Sequence, residues 1–115
     1  MDIDYNQLLF SYGTLQYAKV QLKCFGRVFS GQEDELLNYE LSQVQITDPE
    51  VLAASDQEFH PIAIPTLDTK YTVKGTLLKV SEAELVESDS YEVSDYKRIK
   101  GSFKSGKIGW VYVKA

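Results

Sequence analysis

The chain has 115 residues, of which 43% are hydrophobic and 12% aromatic, enough for one domain over 1–115 with a real core. A formal net charge of -5 and a pI of about 4.8 argue against nucleic acid and anionic lipid as partners. There is no apolar run of about 18 residues to span a membrane, and Met1-Asp2-Ile3-Asp4 lacks the basic and apolar character of a signal segment.

Leu8 to Tyr12 reads as the first strand. Leu15, Ala18 and Leu22 lie at helical spacing, which allows a short helix between Leu15 and Phe25. Arg27 to Phe29 and Tyr39 to Ile46 read as strands, the second alternating through Tyr39, Leu41, Val44 and Ile46, with a turn at Thr47-Asp48-Pro49. His60 to Pro65 is extended, because each proline pushes the residue before it out of the helical region. Tyr71 to Val80 is the clearest strand, and Gly75 inside it marks a bulge or a close approach. Ser81-Glu82-Ala83-Glu84 is a capping box opening a helix from Glu82 to about Ser88. Asp95 to Phe103 and Lys107 to Lys114 form a hairpin about Ser105-Gly106. The pattern predicts an α+β fold: six or seven strands, one or two short helices, and a mixed or antiparallel sheet curled toward a small barrel.

Chemistry-bearing residues are few. His60 is the sole histidine and sits before Pro61; it reads as an ordinary histidine. Cys24 has no cysteine to pair with, which fits a reducing cytoplasm, and it reads as a small hydrophobe. With one Cys and one His, and no calcium-loop spacing, no metal site is expected. In the acidic stretch from Glu82 to Glu92, a solvated helix face accounts for Glu82, Glu84 and Glu87, whereas Glu92 lies past the helix. Gly13, at the end of the first strand, either relieves a turn or lets a ligand approach backbone N–H groups.

Taken together these stretches resemble the gamma-glutamylcyclotransferase-like superfamily. Tyr12-Gly13-Thr14-Leu15 resembles its YGSL/YGTL loop, Val73-Lys74-Gly75-Thr76-Leu77 its V-x-G-x-L/Y strand, Asp89-Ser90-Tyr91-Glu92 with Tyr96-Lys97-Arg98 its D-x-Y/F-E … Y-x-R pattern, and Val111-Tyr112-Val113 its terminal V-Y strand. Order and spacing carry the likeness. The chain has Ser88 where the family usually has Leu, and Val93 where it usually has Gly.

The resemblance implies an enzyme that needs no metal or cofactor and acts on a small gamma-glutamyl amide. The substrate's α-amine attacks its own γ-carbonyl, releasing 5-oxoproline and a free amine. Glu92 is then the general base. Tyr12, Gly13, Thr14 and Leu15 hold the glutamyl end, with Tyr96 and Arg98 beside them; Arg98 is alternatively a structural ion-pair partner. A non-catalytic barrel that keeps the fold is the other reading. The leaving amine and the oligomeric state stay open.

Overall fold

The structure, a computed structural model, describes residues 4–45, 59–92 and 94–115. In chain order these form β1 (Gln7–Ser11), a 3₁₀ turn (Thr14–Gln16), α1 (Ala18–Phe25), β2 (Gly31–Leu36), β3 (Tyr39–Gln45), β4 (Phe59–Pro65), β5 (Val73–Val80), α2 (Glu82–Asp89), β6 (Tyr96–Ser102) and β7 (Ile108–Lys114). Ile46 and the turn expected at Thr47-Asp48-Pro49 lie outside the described residues.

β1 is the centre of a five-stranded mixed sheet ordered β2-β5-β1-β7-β6. It runs antiparallel to β5, with Phe10 opposite Leu77, and parallel to β7, with Leu9 beside Trp110. The sheet curls without closing into a barrel. Leu36 and Phe103 form an isolated bridge between its two edges, flanked by Leu37 N–H to Ser102 O at 3.0 Å and Lys104 N–H to Glu35 O at 2.9 Å.

Alternation along the strands sends side chains to two cores. One holds Phe10, Leu36, Val73, Leu77, Phe103, Val111 and Val113, and the β3–β4 pair closes over it with Ala63. The other holds Leu9, Leu78, Val80 and Tyr112, covered by Leu85 of α2 and by Phe25 and Phe29.

One expectation fails in the segment between α1 and β3. Arg27 to Phe29 is not a strand: Gly26 ends α1 in the left-handed region at φ 75°, and the Phe29 N–H goes to Gln21 Oε1 at 2.8 Å instead of to a ladder. The strand is β2, whose GQEDEL sequence has no alternation because only Leu36 is buried. Its pairing with β5 makes it a strand, which is tertiary context overriding propensity.

α1 begins at Ala18, and its buried residue is Gln21, not Leu22, which is 52% exposed. The Gln21 amide also donates to Leu15 O at 2.8 Å, so it ties the 3₁₀ turn to the chain after α1. The α2 capping box forms as the sequence predicts: Ser81 Oγ accepts from Glu84 N–H at 3.1 Å, and Glu84 Oε1 accepts from Ser81 N–H at 2.9 Å. Glu84 is not on a solvated face, however. It takes both Nε and Nη2 of Arg27, at 2.8 and 2.7 Å, with its side chain 14% exposed.

Candidate functional site

The loop after β1 starts where two strands touch. A Cβ on Gly75 would overlap the Ser11 carbonyl oxygen and sit 2.7 Å from the Phe10 ring, so the glycine in β5 is the close approach that the sequence suggested. Gly13 has a different role. Its φ of -121° is open to any residue, so no turn strain requires a glycine there. A Cβ at Gly13 would meet nothing within 4 Å, which leaves open space beside the backbone.

The loop is braced from behind. Gln16 Nε2 donates to Gly13 O at 3.1 Å, and Thr76 Oγ1 donates to Gln16 Oε1 at 3.0 Å. Gln16 N–H and Tyr17 N–H fold back onto Gly13 O and Thr14 O. The Thr14 and Leu15 N–H groups have no acceptor among the described residues. Two free backbone donors side by side are what an anion or a polarised carbonyl requires.

Tyr12 turns inward. Its hydroxyl donates to Tyr112 O at 2.6 Å and accepts from Ala63 N–H at 3.0 Å, linking β7 to β4. Burial first, and the Glu92 charge among the lesser causes, push its pKa up to about 12 against one backbone bond that lowers it. Tyr96 makes a parallel tie, its hydroxyl donating to Pro61 O at 2.7 Å. Its pKa is also raised, by burial and then by Tyr12, Glu92 and Asp95.

Glu92 follows α2 in a turn closed by Tyr91 N–H to Ser88 O at 3.1 Å and by a long Glu92 N–H to Asp89 O contact at 3.4 Å. The residue is exposed at this turn. Protein nonetheless crowds its carboxyl, and burial, followed by the negative charge of Asp89, pushes the pKa up to about 7. Water on the exposed side tempers that rise without reversing it. Glu92 is also close enough to Tyr12, Tyr96 and Tyr112 to raise all three phenols. The loop tyrosine, the β6 tyrosine and the glutamate therefore share one corner of the fold.

Arg98 is at this corner, but its fork is engaged: Nε and Nη2 meet Asp89 Oδ1 and Oδ2 at 2.8 and 2.9 Å. This ion pair is one of the two roles the sequence left open for Arg98. Tyr112 donates to Asp89 Oδ1 at 2.6 Å, and its oxygen is 2.6 Å from Ser88 Oγ, which reaches Leu85 O at 2.7 Å. Ser88 is thus a buried and satisfied polar group, and its hydroxyl meets the phenol of Tyr112 where a Leu could not. Sequence reasoning gave Tyr112 no role. The available signal was that a tyrosine buried in a strand needs a partner for its hydroxyl.

Two clefts flank the loop and the β3–β4 pair. One, about 420 Å³, is lined by Gln16, Glu33, Asp34, Glu35, Lys74, Gly75 and Thr76. The other, about 360 Å³, is lined by Asn38, Tyr39 and Pro65 to Leu67. Gln16 at the end of the loop lines the first, and Glu92 lines neither. Cys24 is half-buried on α1, His60 half-buried on β4, and no group of acidic, His or Cys side chains among the described residues suits a metal. Val93 lies outside the described residues. No described helix is long and apolar enough to cross a membrane.

Residues 9–115 match the family model described as gamma-glutamyl cyclotransferase, AIG2-like. A search among curated proteins finds no match. Among solved structures, one Arabidopsis thaliana protein studied in solution superimposes with a TM-score of 0.74 at 21% identity, over 99% of this chain and 66% of that one. A second from the same plant gives 0.69 at 18% identity, over 94% and 68%. A gamma-glutamyl cyclotransferase gives 0.69 at 15% identity, over 95% and 66%. This chain spans about two thirds of the length of those structures, and at these identities the likeness is one of fold.

Proposed function

The chain belongs to the gamma-glutamyl cyclotransferase, AIG2-like family, and from that premise we propose that it releases 5-oxoproline and a free amine from a gamma-glutamyl amide. The observation that carries this reading is the place of the Glu92 carboxyl at the corner it shares with Tyr12 of the loop, where burial and the Asp89 charge push its pKa upward. A base is most useful when its pKa lies near the working pH.

The substrate brings its own nucleophile. Folding it back so that the α-amine faces the γ-carbonyl makes the attack intramolecular, with effective molarities on the order of 10⁵ M or more. What the protein must add is proton transfer, because an α-ammonium with a pKa of roughly 8 is a poor nucleophile at neutral pH. Glu92 accepts the amine proton as the new C–N bond forms. It returns a proton to the leaving nitrogen as the old C–N bond breaks, so the carboxylate is regenerated. The unpartnered Thr14 and Leu15 N–H groups receive the negative end of the glutamyl unit, and the open space at Gly13 admits it. Tyr12 and Tyr96 line the corner, with their hydroxyls already committed to backbone carbonyls. The reading calls for no metal or cofactor.

The test is release of 5-oxoproline from a panel of gamma-glutamyl amino acids, peptides, lysine isopeptides and polyamines. Turnover of one class, with its loss in Glu92→Gln, supports the reading. No 5-oxoproline from any member by folded protein overturns it.

A further inference from the structure

We propose that Asp89, held by Arg98, is a positioning residue for Glu92: the ion pair fixes the turn that carries Glu92 and sets the net charge its carboxyl faces. This rests on the reading of Glu92 as the base.

The geometry points to Asp89 because it is restrained from three sides, while the Glu92 carboxyl makes no side-chain hydrogen bond among the described residues. Both oxygens of Asp89 are taken by the Arg98 fork, and Oδ1 also accepts from Tyr112. The Asp89 carbonyl meets the Glu92 N–H. Arg98 is fixed in turn, since its guanidinium lies 4.4 Å from the centroid of the Trp110 ring. A planar fork on a planar carboxylate, stacked on an aromatic ring, is a rigid arrangement.

The groups acting on this corner are Tyr12 from the loop after β1, Asp89 from α2, Asp95 just before β6, Tyr96 and Arg98 from β6, and Tyr112 from β7, with β4 contributing backbone contacts at Pro61 and Ala63. All three phenols have raised pKa values and stay neutral near pH 7. Asp89 stays ionised, its pKa lowered chiefly by the Arg98 hydrogen bonds. The charge acting on the Glu92 carboxyl is therefore that of Asp89, and the Arg98 guanidinium paired with Asp89 offsets it. Removing either member unbalances the pair in an opposite sense.

That opposition is the test. The Glu92 carboxyl is titrated by ¹³C NMR in the full chain, alongside the pH dependence of 5-oxoproline release. Asp89→Asn should lower the Glu92 midpoint by roughly half a pH unit, and Arg98→Gln should raise it by a similar amount, as expected for one charge a few ångströms away near a surface. Arg98→Lys, which keeps the charge, should return the midpoint close to wild type, and the pH of half-maximal rate should follow it. Equal shifts in both variants, or none, overturn the proposal. If Asp89→Asn fails to fold, the contrast between Arg98→Gln and Arg98→Lys decides. The NMR titration does not need turnover. An active Glu92→Gln variant would thus refute the base assignment, while unmoved midpoints would refute only the role of the pair.

Discussion

Tyr12 and Tyr112 are 100 positions apart, and the hydroxyl of the first donates to the carbonyl of the second at 2.6 Å while accepting from Ala63 N–H. One oxygen thereby joins the sheet to the β3–β4 pair. Tyr12→Phe leaves an inward N–H and C=O without their partner. Stability should fall by about 1–3 kcal/mol, read from denaturant unfolding. A loss below about 0.5 kcal/mol would mean that water replaces the hydroxyl and that the tie is weak.

The two glycines near this loop should respond in opposite ways to alanine. At Gly75 the new methyl meets the Ser11 carbonyl and the Phe10 ring, so Gly75→Ala should destabilise by about 1–3 kcal/mol or more. At Gly13 the methyl enters empty space at an unstrained φ. Gly13→Ala should melt like wild type yet raise KM for a gamma-glutamyl substrate by roughly tenfold, since a methyl there narrows the approach to backbone donors. A Gly13→Ala variant with unchanged KM would take the loop out of substrate binding.

Glu92→Gln keeps size and shape but has no carboxylate to accept the proton of the substrate amine. Turnover should drop by about 10² or more, equivalent to roughly 2.7 kcal/mol of barrier. Binding of a gamma-glutamyl ligand, followed by calorimetry, should persist because the Thr14 and Leu15 N–H groups are unchanged. Near-normal turnover would discard the proposed mechanism while leaving the fold intact.

The same carboxyl links pH to both rate and stability. Glu92 acts as a base only when ionised, so the rate should rise with pH through about 7. For stability the sign is negative. Between the ordinary value of 4.5 and about 7, the folded chain holds a proton that the unfolded chain has released, so stability declines as pH rises across that window. Glu92→Gln lacks this decline. Melting temperatures of the two proteins should agree below pH 4.5, separate between 4.5 and about 7, and stay a constant distance apart above it, with Glu92→Gln the more stable. Parallel curves at every pH would place the carboxyl in free solvent.

Much of this fold is legible in the sequence where chemistry is local. The Ser81 capping box, the hairpin about Ser105-Gly106 and the strand ending at Val80 each depend on neighbouring residues. β2 is not legible, because Gly31 to Glu35 look like a polar loop until β5 is alongside them. The role of Gln21 is hidden for the same reason, since a buried amide joining Leu15 and Phe29 leaves no periodic trace. At the candidate site, Glu92 and the Tyr12 loop are marked by resemblance. The Ser88, Tyr112, Asp89 and Arg98 contacts depend on α2 docking against β6 and β7, which residue spacing does not encode.

The parallel pairing of β1 with β7 has a consequence for how the molecule comes to exist. β1 is synthesised before β7, yet one of its two hydrogen-bonding flanks is supplied by residues 108–114. Until those residues emerge, the central strand of the sheet is an edge, and Phe10 lacks Val111 beside it. Non-local pairing of this kind is slow to form and leaves strand edges open to wrong partners. A chain in which residues 108–114 have not yet paired therefore has an open strand edge at its centre, and loss of those residues would open the centre of the sheet.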